Sequence, residues 1–154
     1  MGKKNKMLAH SVALQLITMC SGDVGLTLRA QAVKDEFDRC DQVDKMMTSP
    51  QQLLLNKVLH ITRAMDTGMR TFLEINEVIP SGRSMGNYLT DLRKGKTGKF
   101  TRLSGGLSDR IQSDVVDKRN KYMHVAGAFP TKQETEQIAE DVASYLQTIL
   151  NLAG

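Results

Sequence analysis

Three residues in one short run carry groups suited to chemistry on a phosphodiester: Arg119, Asn120 and His124, within the stretch Asp117 to Phe129. A guanidinium is a permanent planar cation that fits phosphate oxygens, and an imidazole gives or takes a proton near neutral pH. On a helix turning ~100° per residue, Asn120 and His124 share a face and Arg119 flanks them. An Arg followed five to seven residues on by His is expected about half a time by chance in this composition; requiring Asn beside the Arg leaves about two per cent. The narrower pattern singles out this stretch. The competing structural reading is a helical Arg and His that merely sit at the surface or the core boundary.

The elements that hold these residues are legible in the hydrophobic spacing. Ser104-Gly-Gly-Leu-Ser108 leads into a helix whose buried stripe is Leu107, Ile111, Val115 and Tyr122, with Val116 and Met123 beside it. Tyr122 belongs to that core stripe, and Gly127 and Pro130 end the helix. Thr131 and Glu134 form a capping box for a last helix with Ile138, Val142, Tyr145, Leu146, Ile149 and Leu150 on its apolar face.

Upstream, Leu8, Val12, Leu16 and Met19 recur at helical spacing, and Ser21-Gly-Asp23 reads as either a break or a weak point, with Asp23 a candidate N-cap for a second segment. Leu26, Ala30, Val33, Phe37 and Cys40 form the next stripe, prolonged by Val43 and Met47. Thr48-Ser49-Pro50 opens the most periodic helix, through Leu54, Val58, Ile61, Met65, Met69, Phe72 and Leu73 to about Ile79-Pro80. Within it, Gly68 either admits a close neighbour or weakens the turn, and His60 and Arg63 read as boundary residues. A short helix follows over Met85–Leu92. The expectation is an all-α bundle of about five or six helices, with residues 1–6 as a flexible basic tail and 7–152 as one domain.

Composition narrows the function classes. The 154 residues suffice for one self-sufficient core, and 40% hydrophobic with 25% charged residues is ordinary for a soluble domain. Aromatic content of 5% without Trp speaks against a platform that stacks bases, while a net charge of +4 permits a polyanionic partner. Cys20 and Cys40 are the only cysteines and form no CxxC, so they read as small packed groups in a reducing, cytoplasmic setting. The apolar segment after the basic start contains His10, Ser11 and Gln15 and does not read as a signal or membrane span, and Lys6 stands where a myristoylation signal needs Ser or Thr.

The most basic segment runs from Arg93 to Arg102, with Gly95 and Gly98 making it a loop. Its spacing is wrong for a phosphate-binding P-loop, since Phe100 follows Lys99 where Ser or Thr is required. Arg93, Lys94, Lys96 and Lys99 on this loop, with Lys118 and Lys121 beside the motif, are candidate contacts to an RNA backbone. Equally, the loop reads as a plain solvated connection.

Arg119-Asn120-x-x-x-His124 near the end of the penultimate helix, followed by Val125-Ala126-Gly127 and one further helix, resembles the HEPN family. The resemblance covers the helix order over roughly residues 7–152 in pattern, and quotable residues only at the motif. It implies a metal-independent, cofactor-free endoribonuclease acting as a homodimer, with Arg119, Asn120 and His124 catalytic in a composite cleft. A toxin, defence or RNA-processing role, with an antitoxin or other regulatory protein as partner, belongs to the same expectation. The alternative is a HEPN-like module that binds nucleotide, RNA or protein without turnover; a third reading is a purely structural bundle dimerising through Met-rich faces.

Overall fold

The structure is a computed structural model that describes residues 2–45 and 49–154, the side chain of Asp44 excepted. Met47 and Thr48, assigned above to a stripe and a helix start, lie outside the described residues. The chain is all-α, with six α-helices among the described residues when the long penultimate rod is counted once. Among the described residues there is no strand, only an isolated bridge between Lys96 and Phe100, and no helix is long and apolar enough to cross a membrane.

The helices are α1 (Lys3–Met19), α2 (Val24–Gln42), α3 (Pro50–Ile75), α4 (Met85–Lys94), α5 (Gly105–Ile111), α6 (Asp117–His124) and α7 (Lys132–Leu150). Their starts follow from side chains that satisfy otherwise orphaned backbone donors. The side chains of Asp23, Ser49, Ser84, Ser104 and Thr131 each accept the amide of the residue three positions on. At α7 the Glu134 carboxylate also accepts from Thr131 N–H, completing the capping box. Lys3 to Lys6, expected as a loose tail, instead form the first turn of α1, where Asn5 donates to Glu140 at 2.7 Å and Lys6 meets Asp41 at 3.2 Å.

Helix α3 is the central rod, buried through Val58, Ile61, Met65, Met69, Phe72 and Leu73. Helices α2 and α3 run antiparallel: Arg29 near the start of α2 pairs with Glu74 near the end of α3, while Glu36 further along meets His60. The closing helix differs. Asn5 meets Glu140 and Gln15 meets Gln147, so α7 runs in the same sense as α1. It packs on α3 at Gly68, where an added Cβ would lie 2.7 Å from a Leu146 methyl carbon, so this glycine admits a close neighbour. His60 and Arg63 border the core as expected, gathered with Arg39 around the buried Glu36 carboxylate.

One feature of the penultimate rod has no counterpart in the hydrophobic spacing. Between α5 and α6, residues Gln112–Val116 form a π turn that joins the two without a break. The extra residue in such a turn changes the phase of everything after it. Val115 and Val116, adjacent in sequence, are both buried. Asp114 accepts from the Tyr145 hydroxyl at 2.6 Å, and Tyr122 donates to Glu134 at 2.9 Å, fixing the rod antiparallel to α7.

Candidate functional site

The rod delivers Arg119 and Asn120 to a polar cleft of about 260 Å³. Gln112 lies on the same rod, about two turns earlier, and two other segments complete the cleft: Asp66 from the middle of α3, and Arg83 and Gly86 at the start of α4. Arg119 Nη1 donates to Asn120 Oδ1 at 3.3 Å, its one hydrogen bond among the described residues. The carboxamide thus engages the guanidinium rather than His124.

Asp66 is the unusual member. Burial raises its carboxyl above the ordinary aspartate range, opposed by the charges of Arg119 and then Arg70. No hydrogen bond to it exists among the described residues, so a half-buried acceptor is held on electrostatics alone. The Gln112 side-chain amide donates to Asp117 at 2.8 Å, while its Oε1 lies near Gly86 at the start of α4.

His124 lies in the last turn of α6, exposed, outside the cleft. Five residues at ~100° each place it about 140° around the helix from Arg119 and only about 40° from Asn120. Exposed apolar side chains surround it in sequence: Val125 is 55% and Phe129 39% exposed. Tyr122 is buried as expected, its hydroxyl pushed up to about 12 by burial and by the Glu134 carboxylate that accepts its proton.

The chain matches no family model, no curated protein and no solved structure. None of these comparisons identifies the HEPN family, so that resemblance rests on the sequence pattern alone.

The basic-loop candidates are not brought to this cleft. The loop leaves the far end of α4 from Gly86, and nine steps of ~1.5 Å separate the two ends by roughly 13 Å. It is also a built structure. Gly95 and Gly98 take φ of +70° and +73°, Phe100 is buried edge-on against Phe72 at 5.1 Å, and Thr101 N–H bonds Leu152. Lys94 is engaged by Asp91 at 3.1 Å and Lys99 by Glu77 at 2.8 Å. Asp91 resists its burial because Ser81 N–H, Ser81 Oγ–H and Lys94 all favour the ionised form, holding its carboxyl below the ordinary range. Arg93 rests against Gly105, Lys96 stays exposed, and Lys118 sits near Asp141. Lys121 lies over the Tyr122 ring at 5.3 Å.

Asp66 and Arg83 were missed in the sequence. The available signal was Asp66 itself, a carboxylate adjoining Met65 one position off the most regular apolar stripe in the chain. Among the described residues no group of three or more His, Cys, Asp or Glu side chains is arranged to hold a metal ion.

Proposed function

We propose that the chain is a metal-independent endoribonuclease whose complete site forms between two copies. The observation that carries this reading is the division of the motif: Arg119 and Asn120 line a polar cleft while His124 stands exposed at the helix end beside Val125 and Phe129. A second copy facing that end would cover the apolar pair and bring its own imidazole toward the first cleft.

The chemistry then follows. One His124 takes the proton of the substrate 2′-hydroxyl as its oxygen attacks the adjacent phosphorus. The second His124, protonated, gives its proton to the departing 5′-oxygen, leaving a 2′,3′-cyclic phosphate and a 5′-hydroxyl. Arg119 neutralises the charge that builds on the phosphorane-like transition state. Asn120, bonded to Arg119 and one turn from His124, either orients the imidazole or bonds a phosphate oxygen.

Wild type and His124→Ala incubated with mixed RNA in EDTA decide it. Cyclic phosphate ends from the wild type alone, with the variant folded and inert, are expected; equal cleavage by the variant would dismiss the mechanism. The separation of His124 from the cleft favours one second reading, a module that binds RNA or nucleotide without turnover. That reading expects binding indifferent to His124, and an RNase-free wild type that leaves RNA intact.

A further inference from the structure

Arg83 and Arg119 come from segments 36 positions apart in sequence and line the same cleft. Neither forms an ion pair among the described residues, and Arg83 makes no hydrogen bond there either. Two guanidiniums on one concave wall favour a phosphate. The backbone N–H groups of Met85 and Gly86 open α4 on the same wall and have no acceptor among the described residues.

A bare phosphate does not account for Asp66. Its carboxylate shares the cleft and would repel an inorganic anion, yet it accepts no hydrogen bond from the protein. What satisfies both halves is a ligand that places a hydroxyl donor beside a phosphate, as ribose does. We propose that the cleft is a ribonucleotide subsite in which Arg83 and Arg119 hold the phosphate and Asp66 accepts the hydrogen bond of the ribose 2′-hydroxyl in the bound ground state, before one His124 takes that proton, making Asp66 the residue that tells RNA from DNA. A deoxyribose would leave the half-buried carboxylate unpaired next to a phosphate, a loss in the range that gives roughly tenfold discrimination.

Size agrees. The cleft volume of about 260 Å³ falls below the ~300–1,000 Å³ of pockets that enclose a drug-sized ligand. A sugar phosphate fills it and the base stays outside, so recognition is indifferent to base identity. The burial that raises the Asp66 carboxyl marks a group short of donors. This subsite rests on the reading of RNA as ligand, but not on turnover.

The test uses adenosine 3′-monophosphate and its 2′-deoxy analogue, neither of which has a leaving nucleoside to lose. Each is titrated in EDTA into the full isotope-labelled chain, following backbone amides. Saturable shifts at Met85, Gly86 and Arg119 are expected, with the ribose form binding roughly tenfold tighter. Arg83→Ala should weaken both ligands, and Asp66→Ala should bring the two within about twofold of each other. Gly86→Ala is a second, fold-neutral obstruction, because its Cβ meets Ser84 Oγ at 3.9 Å and Gln112 Oε1 at 4.0 Å and nothing nearer; it should weaken both ligands. Equal affinity for the two analogues, no saturable shift at the cleft up to roughly 10 mM, or shifts confined to the loop from Lys94 to Arg102 would each overturn the subsite. Ribose-selective binding here with no cleavage of RNA would keep the subsite and remove the ribonuclease; cleavage with shifts elsewhere would do the reverse.

Discussion

Replacing Asp66 by Asn should make the protein more stable at neutral pH. Its carboxyl is held above the ordinary aspartate range by burial, more than the nearby Arg119 and Arg70 charges lower it. A group whose folded pKa is raised contributes stability below its unfolded pKa and loses it as pH rises through the folded value. Ionised Asp66 is therefore a net cost from above about pH 4 onward, where an unfolded aspartate is already charged. The amide keeps the shape and removes the charge. A stabilising single substitution typically returns about 1 kcal/mol, which for about 150 residues is a rise in Tm of roughly 2–4 °C. Thermal unfolding followed by circular dichroism at pH 7.5 and at pH 3.5 measures it. The gain should be present at 7.5 and vanish at 3.5, where both side chains are neutral. A loss of stability at 7.5, or a gain of equal size at both pH values, would refute the electrostatic account of this residue.

Two further perturbations probe the supports of the site. Tyr122→Phe removes the hydroxyl that binds Glu134 across α6 and α7 and should cost about 1 kcal/mol in urea unfolding. Because the Tyr122 hydroxyl is pushed up to about 12, its contribution is present below about pH 10 and lost as pH rises towards 12, so wild type and variant should converge in alkali. Gly95→Ala places a Cβ where φ is +70° and the Arg102 backbone nitrogen is 3.1 Å away, so it should destabilise by about 1–2 kcal/mol and loosen the Phe100 contact, read by proteolysis of the loop.

Local signals in the sequence carried through to the structure wherever one residue and its near neighbours decide the outcome. Ser49 before Pro50, Thr131 with Glu134, and Gly95 with Gly98 each act within four residues, and each appears as read. The apolar stripe of α3 is buried as its spacing requires. The cleft was hidden because it needs Asp66 and Arg83 beside Arg119, and nothing local ties positions so far apart in the chain. The π turn was hidden for a different reason. Gln112-Ser-Asp-Val-Val116 is compatible with an ordinary helix, and what accompanies the extra residue is tertiary: Tyr145 bonding Asp114 and the burial of both valines. The same-sense packing of α7 on α1 likewise depends on distant pairs such as Gln15 with Gln147.

That surplus residue at Gln112–Val116 sets the angular phase between α5 and α6. Winding those five residues as plain α-helix, with none removed, would swing everything downstream by ~100° relative to α5. Every letter from Arg119 to His124 would survive such rewinding, yet the guanidinium would no longer address Asp66. Where the stretch points thus depends on how the rod is wound as well as on which residues it displays.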